Sequence, residues 1–237
     1  MSVFANLVES LADLLQPLFG TGAAAAAIVL FTALVRLLVH PLSRAAARGQ
    51  KARSALQPRI AELRRKHARN PDRLQRAVLE LHAEEKVSPL SGCLPSLCQL
   101  PAFFLLYHLF SSSEIGGRAN ELLAHRLFAA PLGGRWADAL GDGGVTGPAG
   151  LVYAGLFALV AAVALVSYRL TKRTMADRPL TPAGDAEQVP GLGAVTRVMP
   201  FMSFFTLVTV AVVPLAAALY VVTSTTWSVA ERAVLYR

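Results

Sequence analysis

Residues 22–42 read Gly22-Ala23-Ala24-Ala25-Ala26-Ala27-Ile28-Val29-Leu30-Phe31-Thr32-Ala33-Leu34-Val35-Arg36-Leu37-Leu38-Val39-His40-Pro41-Leu42, an apolar run with one arginine inside it. Between Ala23 and Val39 no other residue is charged. A helix of this length, rising about 1.5 Å per residue, covers most of a hydrocarbon core of roughly 30 Å, so the run is expected to span a membrane. Arg36 is the anomaly, because a guanidinium costs roughly 2.5–3.5 kcal/mol at the centre of a span and less toward its end. Thr32, Arg36 and His40 follow one another at i, i+4 and i+8 and so share one helix face. Two readings stand at this point. Arg36 snorkels to the headgroups, with about one more turn of helix before Pro41, or its face lines a water-filled cavity inside a bundle.

The rest of the composition agrees with a membrane protein. Apolar residues make up 54% of the 237, only 16% are charged, and mean hydropathy is +0.47. That is too little charge for an ordinary soluble domain and points to a polytopic membrane protein. The net charge of +8 does not argue for nucleic acid, since the basic residues gather in particular loops. Arginine outnumbers lysine 19 to 4, which reflects a compositional bias of the genome more than a phosphate-binding demand. Cys93 and Cys98 sit in an apolar run, about 140° apart on a helix, and are expected to pack in the core without bridging. With no basic stretch at the N-terminus, a cleaved signal peptide is not expected.

Outward from the first span, residues 1–21 place Val3, Leu7, Leu11, Leu14, Leu15 and Leu18 at helical spacing, with Glu9 and Asp13 elsewhere, and end at Gly20. This predicts an amphipathic helix lying on the outer face of the bilayer. Residues 22–41 are the first span. Residues 42–88 form a cytoplasmic segment, with twelve Lys or Arg against five Asp or Glu from Pro41 to Lys86. Leu56, Ile60, Leu63 and His67 run along one helix and Leu74, Val78 and Leu81 along a second, with Asn70-Pro71 as the cap between them. An antiparallel helical hairpin is expected there.

A second span is expected over residues 92–110, bent by Pro95 and Pro101, with Ser96 and Gln99 on one face. Residues 111–148 read as a Gly-rich outer loop carrying an amphipathic piece around Leu122 to Phe128 and Trp136 as an interfacial anchor. The third span covers residues 149–168 and is closed by Arg169, Lys172 and Arg173. Residues 169–197 read as a flexible cytosolic loop. Val198 to Ala230 is 33 residues without a charge, roughly 50 Å as one helix and too long for a single span. Two short spans, 198–213 and 214–231, meeting at Pro214, fit better than one kinked helix and place the tail, residues 232–237, inside. Ser203, Thr206 and Thr209 form a polar row on the fourth span and Thr223 to Thr226 a polar patch on the fifth. No His-Glu-x-x-His, Gly-x-Ser-x-Gly or Gly-x-x-x-x-Gly-Lys pattern is present, so no catalytic residue, metal ligand or cofactor site is assigned.

The order of these parts resembles the YidC-type membrane protein insertases, with their mitochondrial Oxa and chloroplast Alb relatives. Leu34-Val35-Arg36 through Pro41-Leu42 is similar to the family's first core span, and Leu56-Gln57-Pro58 with Asn70-Pro71 to its cytoplasmic hairpin. Most specific is Ser88-Pro89-Leu90-Ser91-Gly92-Cys93-Leu94-Pro95, continuing to Gln99-Leu100-Pro101 and Leu106-Tyr107, which is similar to the run before the family's second core span. Near the end the family pattern Pro-Ala-Gly-Leu-x-Leu-Tyr-Trp is met by Pro214-Leu215-Ala216-Ala217-Ala218-Leu219-Tyr220-Val221, with Val221 at the tryptophan position and Thr225 at a frequent asparagine. These departures fit a divergent paralogue of the short bacterial form.

The resemblance implies an all-α fold with five transmembrane helices around a hydrophilic groove, closed outside and open to the cytosol and laterally to lipid. Its lining would include Arg36, Thr32, Gln99, Ser203, Thr206 and Tyr220, and Arg36 would draw in the polar or acidic leading tail of a newly made protein while no bond is made or broken. Arg59, Arg64, Arg65, Arg69 and Arg73 on the hairpin would recruit clients or ribosomes. Expected partners are nascent membrane proteins and lipids, with the ribosome and the Sec translocon as further candidates and no direct contact with nucleic acid. A monomer is expected, in the bacterial cytoplasmic membrane, with the N-terminus outside and the C-terminus inside. Two other classes compete: a small-anion carrier or channel built on Arg36, and a purely structural assembly chaperone. A carrier would more often show inverted internal repeats, which are not seen here, and a chaperone would not need Arg36.

Overall fold

A computed structural model describes residues 2–85, 104–141, 143–176 and 199–235. The chain divides into two compact units, one built from Met1–Leu37 and Phe103–Val234, the other from Leu38–Ala102 and Leu235–Arg237. The expectations that fall on residues 86–103, including the Ser88 to Pro101 motif, Cys93, Cys98 and Gln99, lie outside the described residues, as do those on residues 177–198.

The larger unit starts with α1 (Ser2–Phe19), which a short 3-10 turn, Gly20–Gly22, joins to α2 (Ala23–Ala55). Gly20 takes φ +52, a conformation that a side chain disfavours, and this is what separates two helices that are otherwise continuous in pattern. The α1 ring of Phe4 meets the α2 ring of Phe31 edge to face, 6.5 Å apart, so α1 turns back toward α2. The large residues of α1 do not face the core. Ala5, Val8 and Ala12 are buried, whereas Val3, Leu7, Leu14 and Leu18 are exposed, Leu18 at 79%. Small residues let the backbone approach its neighbours, and the leucine stripe is left uncovered by protein, as on a helix that meets lipid.

Pro41 does not end the first helix, contrary to the boundary expected at residue 41: α2 continues through it to Ala55. A proline removes one hydrogen bond and crowds one carbonyl, but the Leu- and Ala-rich turns on either side are strong helix formers and carry the helix past it.

After a helix over residues 104–111, α5, the expected outer loop is a folded cap. It contains two antiparallel hairpins, β1 (Glu114–Ile115) with β2 (Arg118–Ala119) and β3 (Arg126–Leu127) with β4 (Ala130–Pro131), followed by α6 (Trp136–Gly141). The chain is therefore mostly helical but not purely so. Ile115, Leu122, Ala130, Leu132 and Ala139 of the cap are buried in the same core as the long helices. Asn120 is buried and donates through Nδ2 to the carbonyls of Leu109 and Ser112, 2.8 and 3.0 Å away, which closes the end of α5. Trp136, expected as an interfacial anchor, packs its ring against those of Tyr153 and Phe157, with centroids 5.7 and 5.3 Å away.

The next helix, α7 (Pro148–Ala176), is longer than the expected third span and extends past Arg169, Lys172 and Arg173. Gly150 is required in its first turn, because a Cβ there would lie 2.3 Å from the carbonyl oxygen of Gly144. A 3-10 stretch, Met199–Phe204, then leads into α8 (Phe205–Val212), and the helix stops at Val213, which is extended, before α9 (Leu215–Leu235) begins after Pro214. Fourteen residues, six of them at the steeper rise of a 3-10 helix, reach roughly 24 Å. Ser203 and Thr206 of the first segment line one small cavity together with Val222 and Thr225 of the second.

The first turns of α9 are buried all round, with Leu215, Ala216, Ala217 and Ala218 at 0% exposure. A buried helix start must find acceptors for its unpaired N–H groups. They come from the cap: Leu215 N–H donates to the Gly134 carbonyl at 2.9 Å and Ala216 N–H to that of Leu132 at 2.8 Å. The Tyr153 hydroxyl donates to the same Gly134 carbonyl at 2.6 Å. The cap, α7 and α9 are thus tied at one point.

Among the described residues, two helical runs are long and apolar enough to cross a membrane, Val3–Ala52 and Pro148–Arg173, with mean hydropathies of 2.2 and 2.4. Only 39% and 28% of their most apolar windows are buried, which is the reverse of a core helix in a water-soluble protein. The hydroxyls of Thr223, Thr225 and Thr226 on α9 lower its hydropathy, yet each donates to the carbonyl four residues back, at 2.7–2.8 Å, so their polarity is satisfied within the helix.

The smaller unit contains α3 (Gln57–Lys66) and α4 (Pro71–Glu84), the expected hairpin. Leu56, Ile60 and Leu81 form its core with Leu63 and Val78 against them. Asn70 caps α4, its side chain accepting from Arg73 N–H at 3.0 Å, with Pro71 at the first helical position.

Candidate functional site

Arg36 lies on α2, on the part that belongs to the larger unit, and its side chain is half-buried. It reaches across to α9. Its Nε–H donates to the Ser224 hydroxyl at 3.1 Å, and Nη2 donates to the Ser224 carbonyl oxygen at 3.1 Å and to the hydroxyl as well. Charged donors on a neutral hydroxyl and carbonyl hold the guanidinium in place without neutralising it. Tyr220, one turn earlier on α9 and 2% exposed, shares a hydrogen bond with Ser224, and both Tyr220 and Glu231 are in electrostatic range of Arg36. These bonds point the side chain toward α9.

Positions 220, 224, 227 and 231 fall at i, i+4, i+7 and i+11, within about 60° of one another around a helix. Tyr220, Ser224, Trp227 and Glu231 therefore share one stripe of α9, of which Tyr220, Ser224 and Glu231 interact with Arg36. Of these only Tyr220 is among the expected groove residues. The signal for the other three was helical phase: once Tyr220 is chosen, the same face passes through Ser224, Trp227 and Glu231.

Of the other expected groove residues, Thr32, Ser203 and Thr206 are not brought together with Arg36. Thr32 is 1% exposed, and its hydroxyl donates to the Ile28 carbonyl at 2.7 Å, so this side chain is sealed against its own helix and lines no open space. Gln99 lies outside the described residues. Ser203 and Thr206 face a separate small cavity of ≈ 30 Å³, with Ser167 of α7 and Thr225 of α9, and Ser203 donates to Ser167 at 3.1 Å. Val222 and Thr225, which line that cavity, are on the side of α9 turned away from Ser224. The volume of the cavity is that of about one water molecule.

On the hairpin, Arg59 is paired with Glu85 across the two helices, an exposed ion pair of little energetic weight. Arg64, Arg65, Arg69 and Arg73 are exposed around the turn between α3 and α4. Among the described residues, no group of three His, Cys, Asp or Glu is placed to hold a metal ion.

A helical protein whose longest apolar helices are left uncovered by protein has the surface of a membrane protein. The chain belongs to the 60Kd inner membrane protein family, which residues 15–237 match. It is similar to the membrane protein insertase YidC of Clostridium perfringens, 42% identical over 102 residues that make up 42% of this chain and 43% of that protein. It is likewise similar to the proteins of that name from Chlorobium limicola, 40% identical over 36% of this chain and 15% of the relative, and from Magnetococcus marinus, 42% identical over 38% and 16%. The matched stretches thus span less than half the length of these curated relatives.

Proposed function

We propose that the chain is an insertase that moves newly made membrane proteins from the cytosolic side into the bilayer and assists their folding. The observation that carries this reading is the Arg36 guanidinium, held by Ser224 but not neutralised by it, at the inner face of a bundle whose outer faces are apolar. In the proposed mechanism the polar or acidic leading tail of a client enters beside Arg36 and the following apolar segment passes sideways into lipid. A charge pair at about 4 Å gains at most about 4 kcal/mol at an effective dielectric near 20, before desolvation is subtracted, enough to bias entry and still allow release. Family membership and the printed name of the relatives support the class of activity.

The reading includes a bacterial cytoplasmic membrane location, five spans, an outer N-terminus with α1 on the outer surface, an inner C-terminus, and the hairpin as the docking arm for clients, ribosome or translocon. Single cysteines at positions 214 and 237 test the topology, since only the first should react with an impermeant reagent from outside. For the activity, the protein is reconstituted alone in vesicles and given a short client with an acidic or an uncharged tail. Arg36→Ala should lose insertion of the acidic client and keep the uncharged one. Equal insertion of the acidic client by Arg36→Ala and the parent, at matched protein levels, would remove the basis for this function.

A further inference from the structure

Gly155 lies inside α7, where a glycine is less favourable than alanine. A Cβ at this position would meet no other atom within 4 Å among the described residues, so crowding within them does not explain the glycine. Its missing side chain opens into a groove of ≈ 430 Å³. Leu151, Gly155 and Leu159 line this groove from one face of α7, Leu127 and Phe128 from the second hairpin of the cap, and Leu215 from the start of α9. No lining residue has a polar side chain. Leu151, Gly155 and Leu159 are exposed, so the groove is continuous with the face of α7 that the protein leaves uncovered. Phe128 carries a second sign of a missing partner. It is the first of the two residues that turn β3 into β4 and takes φ +54, a left-handed conformation that strains a bulky residue and collects at ligand clamps. Its ring is 77% exposed, so burial among the described residues does not offset that strain.

We propose that the groove between α7 and the second hairpin of the cap seats one acyl chain of a membrane phospholipid, in contact with Gly155 and the ring of Phe128. The surroundings and the size of the groove select this occupant. α7 is apolar enough to cross a membrane, so its uncovered face meets hydrocarbon. From Leu151 to Leu159 the groove runs about 12 Å along the helix, and a helical segment about 10 Å wide would take up roughly twice its volume over that length. An extended peptide would leave backbone N–H and C=O groups without partners, since the lining side chains offer none. An acyl chain is narrow and has no polar group to satisfy. Apolar burial gives no driving force inside a bilayer, so a lipid is held by close packing, which a glycine and an aromatic rim provide. The inference requires the membrane location of α7 and is independent of the insertase reading.

The test reconstitutes the full-length protein in vesicles of dioleoylphosphatidylcholine, extracts it with detergent, and counts retained phospholipid by native mass spectrometry. The parent should keep one phospholipid per chain. Gly155→Leu puts a side chain into the groove, and its retention should be lower by about tenfold, corresponding to about ten lost carbon–carbon contacts. Phe128→Ala should lower retention as well. Ala162→Leu, two turns further along the same exposed face and outside the groove, should retain lipid as the parent does. Equal retention by Gly155→Leu and the parent would overturn the inference, and so would equal loss in Gly155→Leu and Ala162→Leu, which would mean a general lipid coat and no site. Stripped of lipid, Gly155→Leu should melt no lower than the parent, because leucine is the better helix former and the position is open. A lower melting temperature would mean that another part of the chain packs on Gly155 and would overturn the site. A switch from dimer to monomer in Gly155→Leu with lipid retention unchanged would assign the groove to a second copy of the chain instead. Client insertion is not the readout, so failure here leaves the insertase reading standing.

Discussion

Arg36 and Ser224, 188 residues apart in the sequence, are joined by converging donors from the guanidinium to the serine hydroxyl and its carbonyl oxygen. The arginine is thereby fixed at one height along α9, within reach of Tyr220 before Ser224 and Glu231 after it. A long, flexible side chain would otherwise sample many rotamers, and a site that receives a charge gains from having that entropy already removed.

Ser224→Ala should therefore leave the guanidinium present but less well placed. The carbonyl bond remains, and the hydroxyl contribution, about 1.5–3 kcal/mol for a bond to a charged group, is lost. Insertion of an acidic-tailed client into vesicles should fall several-fold, less than for Arg36→Ala. Parental insertion by the alanine variant would mean that Ser224 only fills space.

The Gly134 carbonyl accepts from both Leu215 N–H and the Tyr153 hydroxyl, tying the cap to α7 and α9. Tyr153→Phe removes one of those two bonds and keeps the ring against Trp136. The expected cost is about 1 kcal/mol, read as an apparent melting temperature in detergent lower by about 2–4 °C. Client insertion below that temperature should match the parent, and a specific loss of insertion would give the cap a part in transport.

Arg64, Arg65, Arg69 and Arg73 are exposed where α3 turns into α4, and Arg59 is paired with Glu85. Exchanging the four for glutamine should change hairpin stability little, because exposed charges contribute about 0–1 kcal/mol each. If they recruit ribosomes or nascent clients, insertion in cells that depend on the protein should drop, whereas insertion of a purified client into vesicles should persist. Unchanged insertion in cells would return these arginines to a merely solvated surface.

How far the sequence carried depends on the kind of signal. Arg36 was legible because it is the one charge in a long apolar run, and Asn70-Pro71 because a cap and a first-turn proline are local chemistry. Ser224 was hidden among four consecutive hydroxyl residues, of which only the tertiary partner singles out one. Thr32 shares a face with Arg36 by phase, but its hydroxyl could satisfy itself on the Ile28 carbonyl, an option that helical spacing does not rank. The cap was read as a loop because its strands are two residues long, below any alternation pattern, and its order comes from contacts with α7 and α9. Pro41 misled as a boundary, since its local penalty was outweighed by the helix formers around it.

Glu231, on the same stripe of α9 as Ser224, sets a limit on how strongly Arg36 can attract a client. A carboxylate within electrostatic range lowers the positive potential at the guanidinium, and a client carboxylate arriving beside Arg36 is also repelled by it. Both effects weaken capture and speed release. Glu231→Gln keeps the size and hydrogen-bonding reach of the side chain and removes its charge, so acidic-tailed clients should be held more tightly. The expected outcome is a lower client concentration for half-maximal insertion, with turnover under saturating client reduced, because release slows when binding is stronger in the bound state than in the transition state. Raising salt from about 0.05 M to about 0.5 M should weaken capture more in the glutamine variant than in the parent, since more of its affinity is then electrostatic. A client with an uncharged tail should respond to neither change. If Glu231→Gln instead impairs capture of acidic clients, Glu231 acts to hold Arg36 in position, and the arginine is better described as one half of an ion pair than as an open charge.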